Sequence, residues 1–178
     1  PMNAGTARKS VTKNKYAGYL FAYFEGSGDK QEHLRFAVSE DAKNWNALND
    51  NQPVIASDSI STSGGIRDPH ILRGEDGCYY IVATDMNTMK NGWKDNPGIV
   101  LMKSKDLVNW THSTVHFPDR FPEWKNVTRV WAPEVIWDPD YANADGSKGR
   151  YMIYYSLLTN DGKCTYDKVY YSYANDDF

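Results

Sequence analysis

Two carboxylates of the sequence stand beside a proline at the start of an apolar run, where a strand could hold them in place. Asp68 opens the run in "RDPHIL", and Glu134 lies within "WAPEVI". A fixed carboxylate can take up or deliver a proton, but Asp-Pro is also a common turn dipeptide. For Asp138-Pro139, in "WDPD", we accept the turn interpretation. His70 follows Asp68 by two residues, so on a strand it would share that side of the pleat, either within a site or as a hydrogen-bonded core histidine.

The elements that must position these residues are predicted to be short β-strands. Runs rich in aromatic and β-branched residues, bounded by Gly, Asn, Asp or Pro clusters, are typical of strands and their turns. Six such runs occur, at Tyr19–Phe24, Leu34–Ser39, Cys78–Asp85, Gly98–Ser104, Arg150–Leu158 and Lys168–Ala174. No window of a dozen residues has the apolar spacing of a helix. The sequence therefore predicts an all-β fold.

The predicted strands recur as a repeat. The pattern S-x-D-x-x-N-W occurs at Ser39–Trp45 and Ser104–Trp110, about 65 residues apart, and Ala174–Phe178 resembles a degenerate third copy. An aromatic strand precedes each copy, and an apolar run with a proline and an acid precedes the second and third. A radial repeat of antiparallel strands is typical of a β-propeller, and we expect Arg67–Arg73 and Ala132–Trp137 to be inner strands and the Asn-Trp segments to lie on outer strands. Trp45 and Trp110, which end the motif, are predicted to be structural.

The repeat accounts for about two and a half blades, whereas closed propellers usually have at least four. The first copy lacks the acid/proline strand, and the third stops after its third strand. An open arrangement would expose blade faces and strand edges. We therefore expect a second chain or a C-terminal segment to complete the propeller. Residues 1–15 are expected to be a disordered or trimmed N-terminus, and residues 16–178 the N-terminal portion of a single propeller domain.

Composition excludes several classes of partner. The net charge is −3 and no basic block is present, so nothing favours nucleic acid or an anionic membrane. No apolar run reaches the roughly 18 residues of a membrane span. The 13 Tyr and 6 Trp suit strands and sugar-stacking surfaces. Cys78 and Cys164 form neither a metal pattern nor a disulfide framework, and we expect two buried thiols.

Three longer segments carry a resemblance to a known family. "IRDPHILRGEDGCYYIVATD", "GIVLMKSKDLVNW" and "VWAPEVIWDPD" followed by "GRYMIYYS" resemble glycoside hydrolase family 43, and the resemblance covers about residues 16–178. It implies the N-terminal half of a five-bladed β-propeller that cleaves arabinofuranosyl or xylosyl linkages in arabinan, arabinoxylan or xylan. It is strongest to the arabinofuranosidase, β-xylosidase and endo-xylanase-like subgroup. Such an enzyme would be secreted or periplasmic and would need no cofactor, although its channel could hold a structural calcium ion.

The resemblance also implies a mechanism. The family inverts the anomeric centre with an ionised general base, a protonated general acid and a third carboxylate that tunes the pKa. An inverting pair stands roughly 6.5–9.5 Å apart, which leaves room for the attacking water. Asp68 matches the base, at the head of the innermost strand of the first complete repeat. The acid and the tuning carboxylate are expected outside this chain.

Other residues are expected to contact the substrate. Glu134 is interpreted as a substrate-site carboxylate, because the Trp-Ala-Pro-acid motif of the family's second blade does not supply the proton donor. Arg67 could keep a neighbouring carboxylate ionised, and His70 could contact the sugar. Trp93 and Trp131 could stack on sugar rings, with packing between blades as the alternative, above all for Trp131. No spacing of residues indicates a metal site.

Two alternatives stay open at this point. One is a propeller that binds glycan or protein without catalysis. The other resembles the fructan enzymes of families 32 and 68, in which the Asp of Arg-Asp-Pro stabilises the transition state and an acid on an earlier inner strand is the nucleophile. The first copy offers only Glu25 and Asp29, both in a Gly-rich turn, which disfavours the second alternative.

Overall fold

The computed structural model describes residues 16–178, which form an all-β fold, as the sequence predicts. The strands are β1 Tyr19–Tyr23, β2 Arg35–Ser39, β3 Asn46–Ala47, β4 Ile66–Arg73, β5 Tyr79–Asp85, β6 Gly98–Ser104, β7 Trp110–His116, β8 Val127–Ala142, β9 Lys148–Thr159 and β10 Lys168–Tyr173. The helices are α1 Thr88–Asn91 and α2 Phe117–Arg120, with 3-10 turns at Asn49–Asn51, Ser57–Ser59 and Pro122–Trp124. Within residues 16–178 no helix has the length and apolar character needed to cross a membrane. The prediction for residues 1–15 lies outside the described residues.

The strands form three antiparallel sheets, each built from strands that are consecutive in the chain. The first sheet has the order β1-β2-β3, the middle sheet β4-β5-β6-β7 and the third sheet β8-β9-β10. The middle sheet is the complete unit of the repeat. Among residues 16–178, no strand of the first sheet corresponds to β4, and β8 is the counterpart of β4 in the third sheet.

The middle sheet is buried on both faces, because successive side chains of a strand point to opposite sides. Tyr80 and Val82 of β5 pack in a core shared with the third sheet. Ile81 and Ala83 of the same strand pack in a second core, shared with the first sheet. Burial of one large apolar side chain contributes roughly 1.5–3 kcal/mol, so this double burial fixes the register of the middle sheet strongly.

The first strands of neighbouring sheets lie together, which gives the arrangement its propeller-like character. β4 contacts both β8 and β1, and the expected inner strands Arg67–Arg73 and Ala132–Trp137 fall within β4 and β8. Apolar side chains remain exposed on the outer sheets, among them Tyr19, Phe21, Val169 and Tyr171. The number of blades, predicted to be five, stays a prediction.

The repeated S-x-D-x-x-N-W motif forms the same turn twice. Asp41 accepts the backbone N–H of Lys43 and of Asn44, each at 2.8 Å, and the side-chain amide of Asn44, also at 2.8 Å. Asp106 makes the equivalent three bonds at 2.7–2.9 Å. Each turn thus satisfies its own backbone donors, which is why a loop of this composition can recur between the last two strands of a sheet.

The tryptophans that end the motif pack on aromatic neighbours. The Trp110 ring lies 6.2 Å from Phe36, between centroids, and its indole N–H donates to the Leu107 carbonyl at 3.2 Å. Trp45 lies 5.4 Å from Phe21. These contacts are those of structural residues, in agreement with the sequence expectation.

Two further expectations can be compared with the structure. Cys78 and Cys164 are buried free thiols, which confirms the prediction. The turn predicted at Asp138-Pro139 is wrong as a boundary between strands, because both residues lie inside β8 and Asp138 pairs with Arg150. The side chain still behaves as in a turn, since its Oδ1 accepts the N–H of Asp140 at 3.0 Å.

We predict that Asp41→Asn lowers the thermal stability of this domain at neutral pH. The backbone N–H groups of Asn44 and Lys43 lower the pKa of Asp41 from its ordinary value of 3.8. A carboxyl whose pKa is lowered by folding stabilises the folded state above the pKa of the unfolded chain, and this contribution is lost as the pH falls. The difference in Tm between wild type and variant should therefore be largest at neutral pH and shrink below about pH 4.

The matched control is Glu40→Gln, which removes the same charge from the exposed neighbouring position of the same turn. Its Tm should match that of the wild type at every pH. Equal losses in the two variants would show that net charge, rather than the hydrogen bonds of Asp41, stabilises the turn.

Candidate functional site

Matching bulges interrupt β4 and β8 at their X-Pro dipeptides. The register shifts between Arg67 and His70 in β4 and between Trp131 and Glu134 in β8. The residues before the prolines, Asp68 and Ala132, have φ of 49° and 47°, in a left-handed region that costs most residues roughly 1–2 kcal/mol. Proline offers no N–H to a ladder, so each dipeptide leaves the regular pairing.

When the two units of the repeat are matched at their bulges, Asp68 corresponds to Ala132 and His70 corresponds to Glu134. The two acids noted in the sequence therefore do not occupy equivalent places in the repeat, which is compatible with different roles. Asp68 and His70 were expected on the same side of the strand because side chains alternate along a regular strand. The bulge interrupts this alternation. Asp tolerates the left-handed region better than Ala, so the strain is smaller at Asp68.

The carboxylate of Asp68 is tied to the next sheet through Thr84 of β5. The Thr84 hydroxyl donates to Asp68 Oδ2 at 3.1 Å and accepts the backbone N–H of Ala132 at 2.9 Å. Thr84 is fully buried, whereas Asp68 is half-buried. One hydroxyl therefore bridges the two bulges.

Glu134, His70 and Tyr154 form a second group beside this bridge. Tyr154 lies opposite Glu134 on β9, and its hydroxyl donates to the Glu134 carboxylate, which raises the pKa of Tyr154. His70 Nδ1 accepts the backbone N–H of Val135 at 3.3 Å. Burial lowers the pKa of His70, while Glu134 opposes that shift. The neutral ring then carries its proton on Nε2.

Arg67 lies in a buried ion pair that the sequence did not indicate. Its Nη1 donates to Glu32 Oε1 at 2.8 Å, and the other oxygen of Glu32 accepts the N–H of Thr88 at 2.8 Å. The carboxylate that pairs with Arg67 is therefore that of Glu32. The guanidinium also lies over the rings of Phe24 and Trp93, at 4.6 and 4.9 Å. A contact of Arg67 with substrate stays a prediction.

The two candidate tryptophans contact each other. Trp93 and Trp131 meet edge to face, with centroids 6.4 Å apart. Trp93 is 55% exposed, so one ring remains accessible for stacking, as expected of a residue in a long loop. Trp131 lies beneath the guanidinium of Arg129 at 4.2 Å, and Arg129 pairs with Asp167 at 2.6 Å. Trp131 thus packs against Trp93 and Arg129, and a contact of Trp131 with a sugar stays a prediction.

The structure brings the predicted residues into three groups, one of which is Trp93 in contact with both Arg67 and Trp131. Asp68 joins Ala132 through Thr84, and His70 joins the strand of Glu134 through Val135. The sequence did not single out Thr84, Tyr154 or Glu32. Cross-strand register could have indicated Tyr154, since it pairs with Glu134 once β8 and β9 are aligned. Nothing in the local sequence marks Glu32, whose partner is 35 residues away.

No group of three or more His, Cys, Asp and Glu side chains within residues 16–178 is placed to hold a metal ion. The structural calcium ion that the family resemblance implies stays a prediction, and we assign no step to it.

Comparison with known proteins identifies relatives over almost the whole chain. The model of a family described as "Probable glycosyl hydrolase domain", related to glycoside hydrolase family 43, matches residues 14–178. An α-L-arabinofuranosidase from Bifidobacterium longum subsp. longum is 30% identical over an alignment of 166 residues, and the match covers 83% of this chain and 14% of that protein. The chain thus spans about one seventh of this curated relative.

Solved structures share the fold. A structure from glycoside hydrolase family 130, a family of mannoside phosphorylases that contains glycoside hydrolases acting on β-1,2-mannosidic linkages in Candida mannan, has a TM-score of 0.52 and 17% identity. The match covers 90% of this chain and 46% of that one. A candidate glycoside hydrolase from Bacteroides ovatus also has a TM-score of 0.52, with 19% identity over 85% of this chain and 45% of its own.

We predict that Glu32→Gln lowers the free energy of unfolding by about 3 kcal/mol, because removal of one partner leaves a buried charge unpaired. Only 12% of the Arg67 side chain and 3% of the Glu32 side chain are exposed. The measurement is urea denaturation followed by tryptophan fluorescence.

Glu25→Gln is the matched control. Glu25 lies 3.2 Å from Arg35 but its side chain is 36% exposed, and Arg35 also donates to backbone carbonyls. This variant should lose less than about 1 kcal/mol. Similar losses for both variants would contradict a special contribution from the buried pair.

Proposed function

Because the chain belongs to the family of glycosyl hydrolase domains related to glycoside hydrolase family 43, we propose that it forms part of a glycosidase. Its substrates are arabinofuranosyl or xylosyl linkages of plant polysaccharides, cleaved with inversion by general acid and base. The similarity to an α-L-arabinofuranosidase favours the arabinofuranosyl linkage over the xylosyl linkage. The observation that carries the proposal is the position of Asp68, in a strained bulge of an inner strand beside a second sheet.

In this proposal Asp68 is the general base. Thr84 engages Oδ2, so Oδ1 can accept a proton from a water molecule as that water attacks the anomeric carbon. A base of this kind must be ionised and held in one orientation before the reaction. The strained φ of Asp68 supports such a role, because strain of this kind concentrates at functional sites.

Other side chains in this proposal hold the sugar. Glu134 is exposed and can accept hydrogen bonds from sugar hydroxyls while Tyr154 holds one of its oxygens. The exposed ring of Trp93 offers an apolar surface for stacking. His70 Nδ1 accepts the N–H of Val135, next to Glu134, and with Arg67 and Trp131 completes the proposed binding surface.

The proton donor and the carboxylate that tunes its pKa are proposed to lie outside these 178 residues, on a C-terminal segment or a second chain. The exposed apolar side chains of the outer sheets support such a covering segment. We place the complete enzyme outside the cytoplasm, secreted or periplasmic, where polysaccharide is found.

The test is Asp68→Asn in the natural full-length protein. The amide keeps the size of the side chain and tolerates the left-handed backbone, but it cannot accept the proton. The kcat on 4-nitrophenyl α-L-arabinofuranoside or β-D-xyloside should fall by about 10²–10⁴-fold, the usual contribution of a general base, while the Tm stays within a few degrees.

Asp138→Asn is the matched control, because it changes the other Asp-Pro dipeptide of the chain. Its kcat should stay within about threefold of the wild type. An Asp68→Asn enzyme with wild-type kcat refutes the assignment of the base. A folded wild type that binds arabinan or xylan but hydrolyses no glycoside instead supports a binding propeller.

A further inference from the structure

We infer that Thr84 is a positioning residue, which sets the direction of the Asp68 carboxylate and locks the bulge of β8 onto the middle sheet. The kinetic part of this inference rests on the proposed role of Asp68 as general base. The structural part, the bridge between the two bulges, stands on geometry alone.

The hydroxyl of Thr84 makes two hydrogen bonds, one as donor and one as acceptor, to residues of two different strands. It donates to Asp68 Oδ2 at 3.1 Å and accepts the N–H of Ala132 at 2.9 Å. A hydroxyl has a single O–H to donate, so acceptance from Ala132 leaves the proton of Thr84 for Asp68. Thr84 is fully buried, and a β-branched side chain has few rotamers, so both directions are fixed together.

The N–H of Ala132 needs this acceptor because the bulge removes it from the β8–β9 ladder. Trp131 pairs with Ser156 and Glu134 with Tyr154, which leaves Ala132 and Pro133 without partners on β9. Ala132 is exposed as a residue, but its N–H points at the buried Thr84 hydroxyl, and an N–H left without an acceptor away from water costs about 1–3 kcal/mol. Thr84 reaches it because even-numbered residues of β5, Tyr80 and Val82 among them, face the third sheet.

A second hydrogen bond holds the C-terminal side of the β8 bulge. The N–H of Val135 donates to His70 Nδ1 at 3.3 Å, so residues before and after Pro133 are both anchored to side chains of the middle sheet. Thr84 comes from β5 and His70 from β4. Together these two hydrogen bonds fix the position of Glu134 relative to Asp68, across the junction between the middle and third sheets.

The position of a catalytic group matters at the level of tenths of an ångström, and a displacement of about 1 Å can cost roughly 10²-fold in rate. Without the Thr84 hydroxyl, Asp68 loses the bond that orients it, and the bulge of β8 loses one of its two anchors. The expected defect is in kcat rather than in KM, because Thr84 is buried and does not reach the sugar.

The experiment compares Thr84→Val, Thr84→Ser and Thr114→Val in the natural full-length protein. Valine keeps the shape of threonine and removes the hydroxyl, whereas serine keeps the hydroxyl. Thr114 is the matched control, since its hydroxyl donates to a backbone carbonyl, that of Ile60, at 3.1 Å on the outer strand of the same sheet. Two readouts are taken: kcat and KM on the glycoside that the wild type hydrolyses, and hydrogen exchange of the peptide containing Ala132.

Thr84→Val should lower kcat by about 10–100-fold with KM within about threefold, and the exchange at Ala132 should become at least tenfold faster. Thr84→Ser should restore both readouts to near wild type, and Thr114→Val should change neither. Wild-type kcat in Thr84→Val, or no rescue by serine, overturns the positioning of Asp68.

The hydrogen-exchange readout separates this inference from the proposed function. If the wild type hydrolyses no glycoside, or Asp68→Asn remains active, the proposed function fails, and the exchange of Ala132 still decides whether Thr84 bridges the bulges. Unchanged exchange at Ala132 in Thr84→Val overturns the bridge whatever the activity.

Discussion

A proline within an inner strand is the constraint on which the rest of the site depends. Pro69 and Pro133 bring no N–H to the ladder, so β4 and β8 bulge at the preceding residue and leave backbone groups to be satisfied elsewhere. The middle sheet supplies the acceptors from Thr84 and His70. The bulge that weakens β8 as a strand therefore fastens β8 to the middle sheet, next to Asp68 in the bulge of β4.

This arrangement depends on the packing that holds the middle sheet in place. Its two central strands are buried on both faces, with one core toward the first sheet and another toward the third. A slip of one residue would turn each of these side chains to the opposite face. Thr84 is thus held by the packing of Val82 and Ala83 beside it, and a buried hydroxyl can orient a half-buried carboxylate without being displaced by water.

Much of the fold was predictable from the sequence, because it depends on local patterns. Alternation and turn residues predicted β5, β6, β9 and β10, and the repeat predicted that β4 and β8 are inner strands. Trp110 was expected on an outer strand and begins β7, but the extent of β7 was not predicted, since "WTHSTVH" has an exposed, polar face and no continuous apolar run. At the site, Asp68 was identifiable by its motif. Thr84 and Glu32 were not, because each acts through a partner that only the packing of separate strands and loops brings near.

The two bulges show how one backbone device can serve different chemistry. Both place a residue in the left-handed region, yet β4 has Asp there and β8 has Ala, for which the conformation costs roughly 1 kcal/mol or more. An Ala would not be retained there for stability, so the bulge of β8 is imposed by its proline and by the bonds to Thr84 and His70. The repeat thus supplies the same backbone conformation twice, and the side chain at the left-handed position determines which chemistry is available there. In β4 that residue is an acid, and the bridge through Thr84 gives the acid one direction.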